Sequence, residues 1–89
     1  MFPTLKEVMV ELNTAKGSVF SGQAGRVELR TTDGVIAISP QEESYLNLTQ
    51  TTEITLHIGT EFLTFVLKNA AASLRDGQLT VLAEEICPL

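Results

Sequence analysis

The chain offers few side chains able to do chemistry. His57 is the single histidine and Cys87 the single cysteine, so a zinc site would have to be built mainly from carboxylates. His57 stands between Leu56 and Ile58 in an alternating stretch, on the outward phase if those neighbours point inward, and reads as a structural or surface histidine. Glu42-Glu43 is the nearest approach to a carboxylate pair. Adjacent residues diverge, whereas a general acid and base must converge on one substrate, so a solvated loop accounts for them. Ser18, Ser21, Ser39, Ser44 and Ser73 lie in no G-x-S-x-G elbow and have one histidine between them to serve as base, which argues against hydrolase chemistry. Gly17, Gly22 and Gly25 are followed by no lysine and no helix signature, so they do not form a phosphate-binding loop. Asn47-Leu48-Thr49 matches a glycosylation acceptor, a triplet that matters only in a secreted protein.

The elements that carry these residues have period two. Val8, Val10 and Leu12 alternate with Met9 and Glu11, and Val27 and Leu29 with Arg26, Glu28 and Arg30. The pattern returns in Ile36 and Ile38, in Ile54, Leu56 and Ile58, in Leu63, Phe65 and Leu67, and in Leu79, Val81 and Ala83. These are half-buried strands with one dry face and one wet face. Turn signals fall at Ala15-Lys16-Gly17, Gly22 to Gly25, Asp33-Gly34, Gly59-Thr60-Glu61 and Asp76-Gly77. Valine, isoleucine and threonine supply 23 of the 89 residues, a bias that suits a pleated sheet. Residues 69–75 have helical propensity. Seven residues between two strands are too few for a stable helix, however, and an irregular or strand conformation is expected there.

Length and charge bound the function. Eighty-nine residues suffice for one small domain, taken as residues 1–89, with a thin core that benefits from a partner. Eleven acidic residues against six basic ones give a net charge of −5, which disfavours phosphate backbones and anionic lipid alike. A lone cysteine near the end fits a reducing compartment. Lys6, Glu7 and Glu11 interrupt any signal-peptide core, and no apolar run is long enough to span a membrane. Composition and spacing therefore support an all-β binding or interaction domain without catalysis or cofactor, and do not name its partner.

Three ordered motifs add a family resemblance. Val19-Phe20-Ser21-Gly22, then Gly34-Val35-Ile36-Ala37-Ile38-Ser39-Pro40, and finally Asp76-Gly77-Gln78-Leu79-Thr80-Val81-Leu82-Ala83-Glu84 resemble the N-terminal half of the epsilon subunit of F-type ATP synthases. That family typically reads V-F-S-G, then G-E-F-G-V-L-P-G-H-A-P-L-L, then P-G-N-V-T-V-L-A-D. The likeness runs over roughly residues 7 to 85. It implies a flattened β-sandwich of about ten short, mostly antiparallel strands. It also implies a rotor position against the gamma subunit and the polar loops of the membrane c-ring, within a hetero-oligomeric complex that couples proton or sodium flow to ATP synthesis. On the same basis the protein would be cytoplasmic and held peripherally at the inner membrane through that complex, with no insertion of its own. The resemblance further implies that the outward row of the Val8–Leu12 stretch and Thr14 face gamma. Asp33, Gly34, Val35, Glu42 and Glu43 then belong to loops facing the ring. With the sequence ending five residues after Glu84, the C-terminal helical hairpin of longer members is expected to be absent.

Two departures from the family fall in the region that the resemblance places against the ring, and a third lies before the last hairpin. Pro40-Gln41-Glu42-Glu43-Ser44 stands where the family has P-G-H-A-P, replacing a glycine and a histidine by two carboxylates, and Val35 replaces an acidic residue. Lys68-Asn69-Ala70 stands in place of S-G-G. Two other classes remain open. One is a β-sandwich repurposed for another protein partner. The other is a small-molecule module, against which Phe20, Phe62 and Phe65 argue if they fill the interior.

Overall fold

A computed structural model describes residues 7–89, so Lys6, one of the charges that argues against a leader, lies outside it. The described residues form eight strands and no helix: β1 (Val8–Thr14), β2 (Gly17–Ala24), β3 (Arg26–Thr31), β4 (Gly34–Ile38), β5 (Ser44–Leu48), β6 (Thr52–Ile58), β7 (Glu61–Arg75) and β8 (Gln78–Pro88). One continuous hydrogen-bonded sheet links them in the order β2-β1-β8-β7-β6-β3-β4, with β5 on β7. All pairings are antiparallel except β1 with β8.

The sheet becomes a sandwich because β7 and β8 serve two leaves. The first half of β7 pairs with β6 through Leu67, and its second half pairs with β5 from Ala70 onward. Between the halves Asn69 adopts a φ of 52°, a left-handed conformation that a strand residue does not ordinarily adopt. Its side-chain amide donates to Glu84 Oε2 at 3.1 Å across the bend. One leaf is β2-β1-β8-β7-β5 and the other β8-β7-β6-β3-β4. Eight strands stand in place of the expected ten or so, since two long bent strands do the work of four short ones. Residues 69–75 are strand throughout, as tertiary pairing on both sides outweighs a weak local preference.

Alternation locates the core. Val8, Val10, Leu12, Leu79, Val81, Ala72 and Leu74 of one leaf join Val27, Leu29, Ile54, Leu56 and Leu67 of the other in one buried cluster. Each fully buried Leu or Ile contributes about 1.5–3 kcal/mol of transfer free energy. Phe20 and Phe65 pack against this cluster with ring centroids 6.0 Å apart. Phe62, expected inside, is 66% exposed, and Leu63 is exposed in part: Phe62 pairs across the strands with His57 on the outer face, near the exposed start of β7.

Two of the turn expectations need correction or refinement. Gly22 lies within β2 opposite Val10, and its missing side chain leaves room for the Phe20 ring, whose Cζ would sit 3.2 Å from a Cβ there. The corner is at Gly25, whose N–H donates to the His57 carbonyl at 2.9 Å. At Asp76-Gly77 both residues have positive φ, 52° and 74°, the requirement of a two-residue type I′ hairpin.

Candidate protein-interaction faces

The two leaves turn chemically different outer surfaces to solvent. On the β3-β6-β7-β8 leaf the outward positions are laced with opposite charges, across neighbouring strands for Arg30 with Glu53 at 3.8 Å and Lys68 with Glu85 at 3.4 Å, and along β3 for Arg26 with Glu28 at 3.6 Å. His57 belongs to this face, with Nε2 2.8 Å from Glu28 Oε1 and the Phe62 ring edge-on at 4.6 Å. A shallow depression of about 210 Å³ lies between Glu28, Arg30, Val35, Thr55, His57 and Phe62. The Thr55 hydroxyl is engaged with Thr64 at 3.1 Å, and neither Cys87 nor any serine lines the depression. The His–Glu pair therefore has no nucleophile beside it, and its geometry is that of cross-strand partners on a half-exposed sheet. Among the described residues no three His, Cys, Asp or Glu side chains are grouped to hold a metal ion.

The outer surface of the other leaf is charge-poor. Its outward rows, fixed by alternation with the buried positions, carry Met9, Glu11 and Asn13 from β1, Gln78, Thr80, Leu82 and Glu84 from β8, Ala71, Ser73 and Arg75 from β7, and Tyr45 and Asn47 from β5. Leu82 is 57% and Tyr45 71% exposed, and Met9 is exposed as well. Gln78 donates to Glu11 Oε2 at 3.2 Å, and the ion pairs found among the described residues all lie on the opposite face. Depletion of charge around exposed aromatic and apolar side chains is the compositional mark of an interface core.

Thr14 closes β1 at one end of this charge-poor face. Its Oγ1 accepts the Lys16 N–H at 3.1 Å, which shapes the β1–β2 turn. Of the residues expected to face the ring, Asp33 lies in the Thr32-Asp33 turn between β3 and β4, while Gly34 and Val35 open β4: Asp33 N–H donates to Thr31 Oγ1 at 3.1 Å, and that hydroxyl donates to the Gly34 carbonyl at 2.9 Å. This turn lies against the β5–β6 connection, where Thr32 Oγ1 donates to Gln50 Oε1 at 2.7 Å. A groove of about 340 Å³ opens between them, lined by residues 31–36 and by Leu46 to Gln50 and Thr52.

Glu42 and Glu43 are not brought into that groove. Both are exposed. Glu42 N–H donates to the Ser39 carbonyl at 3.1 Å, and the loop runs into Ser44, which pairs with Leu74 near the β7–β8 hairpin. The two sets of expected contact residues thus sit at opposite ends of β4, whose five residues span about 15 Å, and they bracket that strand. Sequence reasoning missed the charge-poor face and the groove. The face draws residues from four strands, of which β1 joins the others only through its parallel pairing with β8, and the groove lies between two strands that do not pair. The local signal for β5 was the Leu46/Leu48 alternation.

Comparison with known proteins agrees with this architecture. No curated protein matches the chain by sequence. Among solved structures it is similar to a chain in the cryo-EM structure of the Euglena gracilis mitochondrial ATP synthase (OSCP/F1/c-ring, rotational state 1), with a TM-score of 0.80 at 15% identity over 98% of this chain. That match spans 56% of the Euglena chain, and at such identity it speaks to fold alone. None of the described residues forms a helix long and apolar enough to cross a membrane. The family model for the ATP synthase delta/epsilon chain β-sandwich domain matches residues 7–88, and with nearly the whole sequence covered, the chain belongs to that family.

Proposed function

We propose that the protein is a non-catalytic rotor subunit of an F-type ATP synthase, in which the charge-poor leaf docks on gamma and the loops bracketing β4 meet the c-ring. Membership of the delta/epsilon β-sandwich family supports assignment to the synthase. The single observation that carries the gamma assignment is the contrast between the two outer faces. The ion-paired face also exposes Phe62 and Val35 but surrounds them with Glu28, Arg30 and His57, whereas the other face presents Leu82, Tyr45 and Met9 with no ion pair among them and gains more by being covered. Thr14 stands at the margin of that face, and a stable contact would bury about 1,600 Å² in total. In this reading the protein is cytoplasmic and held at the membrane only through the complex. Its effect is mechanical and needs no cofactor.

The test is co-purification from native membranes. Leu82→Arg and Thr14→Arg should each reduce recovery of gamma at least tenfold, because a charge placed in an apolar contact must be desolvated, while Thr60→Arg on the exposed β6–β7 turn should not. Unchanged recovery with Leu82→Arg would move the contact to another face, and failure of the wild-type chain to recover any synthase subunit would overturn the rotor assignment. Attachment to the ring is expected to weaken with salt, since exposed charges are screened over about 8 Å at physiological ionic strength. Glu42→Gln/Glu43→Gln should flatten that salt response.

A further inference from the structure

We infer that the free edge of β4 is a docking site for an extended, basic-flanked segment of a partner protein, which would add to the sheet as a further strand. Among the described residues β4 is the last strand of its leaf and pairs only with β3. Its sequence Gly34-Val35-Ile36-Ala37-Ile38 contains no charge and no proline, and its first four residues are exposed. Its register with β3 is unbroken. Edge strands are ordinarily guarded by charge, proline or a bulge. The opposite edge of the sheet, β2, does carry an irregularity, where its register with β1 shifts at Leu12/Asn13; β4 carries none of these guards.

The groove beside β4 supplies the second half of the argument. β5, whose one partner among the described residues is β7, lines the same groove, and Ile36, Leu46 and Leu48 are the apolar side chains it shares with β4. An incoming strand therefore finds backbone groups at the edge and an apolar slot for alternate side chains, the two components of β-strand addition. Charge selects the occupant. Asp33 stands at one end of β4 and Glu42-Glu43 at the other, and no lysine or arginine occurs from Thr31 through Leu67. A segment with basic residues flanking a β-branched centre is complementary, whereas a second copy of this chain, itself at −5, is not. The inference goes beyond the rotor assignment: it stands on the edge itself, and its test uses no synthase subunit.

The probe is a capped synthetic peptide, Lys-Val-Thr-Val-Thr-Lys, titrated into isotope-labelled protein and followed by amide chemical shifts. Saturable shifts confined to Gly34–Ile38 and Leu46–Gln50 are expected. N-methylation of alternate peptide amides, which removes strand hydrogen bonds and leaves the side chains, should weaken binding about tenfold, as should exchanging both lysines for glutamates. Ala37→Lys, which guards the edge opposite Glu28 and leaves the core untouched, should also weaken binding about tenfold at an unchanged melting temperature. Absence of shifts at millimolar peptide, shifts centred on β2, indifference to N-methylation, or self-association through β4 without peptide would each overturn the proposal.

Discussion

Asn69→Val is the substitution on which local and tertiary reasoning disagree in sign. Residue 69 lies inside a fifteen-residue strand, and valine is among the best strand formers while asparagine is among the poorest, so propensity alone predicts a gain of up to about 1 kcal/mol. The structure predicts a loss. At a φ of 52° a β-branched side chain is forced against its own backbone, costing about 1–2 kcal/mol more than asparagine. The 3.1 Å bond to the exposed Glu84 contributes at most about 0.5–1 kcal/mol. Together these come to about 2 kcal/mol, and at 4–8 °C per kcal/mol for a domain of this size the melting temperature should fall by about 10–15 °C. Asn69→Gly loses the same hydrogen bond but relieves the backbone, and should stay within about 1 kcal/mol of the parent. Thermal and urea unfolding followed by circular dichroism would measure all three proteins. A valine variant as stable as the parent, or glycine and valine variants of equal stability, would refute the reasoning that the left-handed backbone at residue 69 outweighs strand propensity. The resembling family carries glycine here, which the same backbone conformation accounts for.

Leu56→Ala, at a position with no solvent exposure in the centre of the core, should destabilise by about 3 kcal/mol in urea titration; a cost below 1 kcal/mol would mean the leaves are not packed as described. Gly77→Ala should cost more than about 1 kcal/mol, because Gly77 is buried with a φ of 74° in the two-residue β7–β8 turn and alanine there is strained; an equally stable variant would rule out the type I′ geometry. The purified chain is expected to retain no stoichiometric zinc and to hydrolyse no ATP, as elemental analysis and a phosphate-release assay would check, and finding either would count against the non-catalytic assignment.

The strands were legible because burial on one face of a sheet writes a period of two into the sequence: Val8, Val10 and Leu12, Val27 and Leu29, Ile54 and Leu56 were each readable locally and are all buried. The hairpin turns at Gly59-Thr60 and Asp76-Gly77 were legible for a related reason, since positive φ at a two-residue connection narrows the choice to a few residue types; the Asp33-Gly34 signal was one residue late, the connection being Thr32-Asp33 with Gly34 the first residue of β4. Phe20 and Gly22 were legible as a motif but not as a contact, because the glycine answers a ring two residues away and no turn. What only the tertiary structure decided is where long strands bend and which strands become neighbours. Asn69 is a residue that tolerates a left-handed backbone, but that tolerance alone does not say that β7 continues past it to pair with a different neighbour. The parallel pairing of β1 with β8 joins residues nearly seventy positions apart, and only through it do Met9, Leu82 and Tyr45 share one charge-poor face. The exposed edge of β4 follows from the same cause: a strand's own residues fix which side chains point inward, whereas the presence or absence of a neighbour on each flank depends on the path of the whole chain.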